Sequence, residues 1–97
     1  MIKVEKFNVR ILGLGERYGR NDCLVNKDEP MVEFYDGRYT NGSFGERGQF
    51  VSRYFVSTIL NGNYSNGLCL HGGIDGWSVS AEGMKEVIKY AKESQNV

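Results

Sequence analysis

The chain has no excess of either charge: twelve basic and twelve acidic side chains cancel across 97 residues. That balance argues against a generic nucleic-acid or membrane-surface binder, which shows a basic excess. No apolar run approaches the ~18–20 residues of a membrane span. The N-terminus, M-I-K-V-E-K-F-N-V-R, alternates apolar and charged residues, so it lacks the continuous apolar stretch of a secretory signal. Cysteine is scarce. Cys23 and Cys69 make no disulfide framework, and we read them as reduced small hydrophobes of a cytoplasmic protein. With a single histidine they leave no recognisable metal-ligand set, and no cofactor is expected.

Aromatic residues are plentiful: five Phe, six Tyr and one Trp. Each buries about 150–250 Å², so a few can dominate a small core. The length suits one domain, 1–97, with a modest but sufficient core. Internal repeats and low-complexity runs are absent.

The pattern along the chain predicts an α+β domain. Residues 2–14 read as one long strand that enters the core part-way along. Glycines 13, 15 and 19 mark a loop, 23–25 a short strand and 27–30 a turn. Met31–Tyr35 reads as a strand that Asp36-Gly37 breaks. Phe50, Val51, Tyr54, Phe55, Ile59 and Leu60 fall at helical spacing. They predict a broadly buried helix over about 47–60, closed by a left-handed cap at Asn61-Gly62. Its β-branched content makes propensity weak, so packing must hold it. Short strands follow at 67–71 and 77–79. Ser80 is a helix N-cap, and Met84, Val87, Ile88 and Ala91 form the apolar stripe of a helix over about 81–93. The expected architecture is a mainly antiparallel sheet of about four to five strands with both helices on one face.

Three constellations invite a chemical reading. Gly13 to Gly19 spells GxGxxxG after a strand. The spacing is not GxGxxG and no apolar-periodic helix follows, so a glycine-rich turn is the better reading than a phosphate loop. Cys69 and His71, with Asp75 beyond, carry the residue types of a nucleophile, a base and an orienting acid. Cys69 lies between two leucines, where a buried thiol is inert, and we read it as a core residue. Glu33 and Asp36 flank Phe34-Tyr35 and read as a solvated strand edge, so no catalytic residue is expected. The loop from 36 to 49 mixes Arg38, Tyr39, Phe44 and Arg47 with glycine and suits a contact surface. Trp77, beside Gly76, packs under the last helix or adds to that surface.

F-Y-D-G-R-Y (34–39), G-Q-F-V-S-R-Y-F-V-S-T-I-L (48–60) and G-L-C-L-H-G-G-I-D-G-W-S-V-S-A-E-G-M (67–84) resemble a pattern in small hypothetical proteins of bacteriophages and prophages. The resemblance covers roughly residues 32–88. It implies a stand-alone protein made in a bacterial cytoplasm by a mobile element. Proteins of that size and origin often bind and inhibit a host machine, such as a nuclease-based defence complex of the CRISPR-Cas kind. The expectation is a non-enzymatic protein that binds a host protein through Arg38, Tyr39, Phe44, Arg47 and Trp77. A second reading is a nucleic-acid-binding accessory protein in which Arg10, Arg17, Arg20, Arg38, Arg47 and Arg53 converge on one face. A third is an assembly role, as a homo-oligomer formed through the exposed strand at 31–35.

Overall fold

A computed structural model describes residues 1–40, 45–70 and 77–95. The expected α+β architecture is present: a four-stranded antiparallel sheet carries two helices. Strand β1 (Ile2–Val4) turns into β2 (Phe7–Leu12), and β5 (Met31–Asp36) and β6 (Gln49–Phe55) complete the sheet in the order β1-β2-β5-β6. Between β2 and β5 the chain makes an excursion with β3 (Arg17–Tyr18), a 3-10 turn at Arg20–Asp22, and β4 (Leu24–Val25). Helix α1 (Val56–Asn61) follows β6. The hairpin of β7 (Leu68–Cys69) and β8 (Ser78–Val79) leads into α2 (Ala81–Gln95). Among the described residues no helix is long and apolar enough to cross a membrane.

Several expectations need correction. The single strand over 2–14 is a hairpin. Glu5 takes a left-handed φ of 56°, and Val4 pairs with Phe7 across a two-residue turn. The sequence carries the trace: Ile2 and Val4 share one parity, Phe7 and Val9 the other, and a two-residue turn is what joins them on one face.

The helix over 47–60 is mostly strand, and only Val56–Asn61 is helical. The cause is a bulge. Phe34 pairs with Ser52 but Tyr35 pairs with Phe50, which leaves Val51 as the extra residue. Val51 is buried, so apolar residues at 50, 51, 54 and 55 mimic a helical period while lying on a bulged strand. The β-branched and aromatic composition favours that outcome. The cap at Gly62 is extended and not left-handed.

The strand at 31–35 is not an exposed edge. It lies inside the sheet, between β2 and β6, and all six residues of β5 are buried. Cys69 is not a core residue: both thiols are exposed, because Leu68 and Leu70 turn inward and Cys69 turns out.

The core lies on one face of the sheet. Val9, Val32, Phe34 and Val51 meet Val56 and Ile59 of α1 and Met84, Val87 and Ala91 of α2. Phe7, Phe34 and Tyr54 pack edge to face at 6.4 and 6.0 Å. Ser80 caps α2 as expected: its hydroxyl accepts the Gly83 N–H at 3.1 Å. The Glu5 carboxylate in turn accepts from the Ser80 N–H and hydroxyl, pinning the first hairpin to the start of α2.

The excursion over 13–29 occupies the opposite face. Asn26 organises it. Buried, it donates to the carbonyls of Leu12, Gly13 and Glu29 and accepts from the Asp28 N–H. Those bonds replace the ladder that an irregular segment lacks. The result is a β5 buried on both sides, by helices beneath and by this excursion above.

Candidate functional site

The outer face of the sheet, away from the helices, carries an ionic layer across three strands. Arg10, Glu33 and Arg53 are direct cross-strand neighbours. Glu33 has no solvent exposure. Arg10 donates from Nε and Nη2 to Oε1 at 2.8 and 2.7 Å, and Arg53 donates from Nε and Nη2 to Oε2, both at 2.9 Å. The Tyr35 hydroxyl adds a third donor at 3.0 Å. A carboxylate can be buried only when its lone pairs are met in this way. Glu33 and Asp36 are not the solvated edge that their sequence suggests: both are buried, and β2 and β6 flank Glu33, each delivering an arginine at the same register.

Arg53 is held further by its neighbours. Its guanidinium lies 4.5 Å from the Tyr18 ring centre and 4.7 Å from that of Phe50. Planar, weakly hydrated guanidinium suits such aromatic contacts. Phe50 packs edge-on against Tyr35 at 5.7 Å and keeps 43% of its surface exposed. Burial, with the Glu33 charge behind it, pushes the Tyr35 hydroxyl pKa up.

Tyr35, Phe50 and Arg53 form one wall of a cleft of about 900 Å³. Gly19, Arg20, Asn21 and Asp22 of the excursion line the opposite side, and Gly45–Gly48 the end. Arg47 reaches across to Asp22 at 3.2 Å, while its carbonyl accepts from the Asn8 amide at 2.8 Å. Gly48 permits this approach: its φ is +103° and a Cβ there would overlap the Asp36 carbonyl. Three arginines and two acids, Asp22 and Glu46, thus line the opening.

A second cluster sits at the same end of β5 on the helix-side face. Asp36 is buried. It accepts from the Arg38 N–H and Nε at 3.0 Å each, from Arg38 Nη2 at 2.8 Å, and from the Trp77 indole N–H at 2.9 Å. The Arg38 guanidinium and the indole donor hold its carboxyl down at about 2. Arg38 also lies 5.5 Å from the exposed Tyr39 ring.

Chain comparison gives no likeness to draw on: no family model, no curated protein and no solved structure matches it.

The expected contact residues therefore fall into two groups. Arg38, Tyr39 and Trp77 gather around Asp36, with Trp77 partly buried against the core. Arg47 belongs to the outer cleft. Phe44 lies outside the described residues, as do His71 and Asp75, so the Cys69–His71 pairing cannot be placed. Among the described residues no group of three or more His, Cys, Asp or Glu could hold a metal ion. The sequence reading missed Glu33, Phe50 and Tyr18 as parts of a site. A lone acid inside the apolar run M-V-E-F-Y is the one signal that was available.

Proposed function

We propose that the chain is a non-enzymatic binding protein that docks another protein on the outer face of its sheet. The observation that carries this reading is the juxtaposition of exposed Phe50 with the ring-clamped Arg53 on the wall of the cleft. Aromatic and arginine side chains held rigid beside a concavity are what interface hot spots are made of. Little side-chain entropy remains for them to lose on association. Arg47 at the end of the cleft, and Arg38, Tyr39 and Trp77 around Asp36, extend the surface at the end of the sheet.

The resemblance of residues 32–88 to phage and prophage proteins supplies the setting. In this proposal the partner is a protein of the bacterial host, of the nuclease-based defence class, and binding inhibits it.

A second reading has one observation in its favour. Arg10, Arg47 and Arg53 gather on the outer face, with Arg17 and Arg20 on the excursion that covers it. Such a grouping also suits a phosphate backbone. Affinity capture of the tagged chain from host lysate, at low and moderate salt and with and without nuclease, separates the two. Under the protein-docking reading a specific protein survives both treatments, and Phe50→Ala or Arg47→Gln weakens its recovery. Recovery of nucleic acid alone, lost on adding salt, would transfer the function to the second reading.

A further inference from the structure

Among the described residues β6 is one of the two edge strands of the sheet, with β1 at the other side, and its hydrogen-bond phase is fixed by one contact. The Val56 N–H donates to the Pro30 carbonyl at 2.9 Å. In the antiparallel ladder this makes 32/54 and 34/52 the hydrogen-bonded pairs, and 31/55 and 33/53 the non-bonded ones. The N–H and C=O groups of Arg53 and Phe55 therefore point away from β5, to the open side. Within the described residues no hydrogen bond reaches them.

The side chains along this edge are equally specific. Phe50 and Phe55 are 43% and 41% exposed, and Arg53 lies between them on the same outer face. Two guanidinium groups share the one charge of Glu33, which leaves the layer with a surplus positive charge; Arg20 stands across the cleft, and Arg47 at its end is paired with Asp22. Resting on the docking reading above, we propose that the partner presents an extended segment that adds to β6 as a further strand, with a carboxylate side chain set against Arg53. Main-chain bonds to Arg53 and Phe55 supply the attachment, and the residue directly opposite Arg53 shares its face at about 4.5–5.5 Å between Cβ atoms. A second copy of this chain is the poorer occupant. Centred on Arg53 it sets two guanidinium groups face to face, and centred on Tyr54 it sets Arg53 against Phe55 and leaves the surplus charge unanswered.

The test uses capped peptides of the sequence Val-Glu-Val-Glu-Val and Val-Gln-Val-Gln-Val, titrated into the ¹⁵N-labelled protein. The expected result is saturable movement of the Arg53 and Phe55 amide signals, with the Glu peptide binding about tenfold more tightly than the Gln peptide. Phe55→Pro is the matching variant. Phe55 already has φ −64°, proline fixes that angle, and the N–H it removes faces the open edge, so β5–β6 pairing survives. The variant is expected to lose peptide binding while keeping the wild-type circular dichroism spectrum. Should it fail to fold, the Glu-versus-Gln comparison on the wild type still decides. No saturable shift, equal binding of both peptides, or a folded Phe55→Pro protein that binds like wild type would overturn the proposal. So would a concentration-dependent dimer, in light scattering, that Phe55→Pro dissolves. Capture of the lysate partner that is lost in Phe50→Ala but kept in Phe55→Pro would sink the added strand and leave the docking face. Capture indifferent to Phe50→Ala, Arg47→Gln and Phe55→Pro alike would sink the face itself.

Discussion

Glu33 has no contact with water, yet the strand that carries it would be simpler with a hydrophobic residue there. Its two arginines are only partly exposed, at 14% and 26% of their side chains. Removing the acid leaves two like charges side by side with no counter-ion. Glu33→Ala is therefore expected to cost about 3–5 kcal/mol of stability in urea unfolding. The same change at exposed Glu86 should stay within ~0.5 kcal/mol. Asp36 makes a prediction in pH. Its carboxyl sits at about 2 in the folded chain against an ordinary 3.8. A lowered folded pKa contributes stability that is complete above the ordinary value and is lost as pH falls through the folded one. The unfolding midpoint should fall between about pH 4 and pH 2, and Asp36→Asn should flatten that descent. Trp77→Phe, which removes one donor to this carboxylate, should shorten the descent by raising its low-pH end while its onset near the ordinary value stays in place.

At the scale of elements, the start of α2 is the most tightly specified junction. Ser80→Ala removes the cap and also a donor to Glu5, and should cost about 1 kcal/mol or more in thermal unfolding. Gly83 is less intuitive. Alanine in a helix interior is favoured over glycine by ~1 kcal/mol. Here, however, a Cβ would stand 2.6 Å from a Glu5 carboxylate oxygen and 2.7 Å from Val79 Cγ1. Gly83→Ala is expected to lower the melting temperature, and a rise would show that the hairpin can yield. This junction was largely legible in the sequence, because Ser80, the acidic first turn and the Met84–Val87–Ala91 stripe all point the same way. Strand β6 was not legible, because one extra residue shifted its alternation and produced the spacing of a helix. The ionic layer was hidden for another reason: Glu33 meets its arginines across strands, 23 and 20 residues away, and no local pattern carries that distance.

The whole molecule measures 35 × 32 × 21 Å, thin in one direction because one helical layer covers one face of the sheet. The other face is closed by an irregular excursion and a charged layer. Cohesion thus rests on the helix-side core, and Phe34→Ala, at its centre, should cost about 3–5 kcal/mol. Trp77 is the one tryptophan and is tied to β5 through Asp36. Its fluorescence and the far-ultraviolet circular dichroism should therefore report a single coincident unfolding transition. Earlier loss of the fluorescence signal would mean that the hairpin leading into α2 detaches first. The two cysteines have a practical bearing on motion. Cys23 immediately precedes β4 on the excursion, Cys69 ends β7 of the second ribbon, and both thiols are open to solvent. Nature has thus placed one attachment point beside each two-stranded ribbon and none in the main sheet. A pair of spin labels on the unmodified sequence would act as a ruler between those ribbons, reading how far they part or close when a partner arrives.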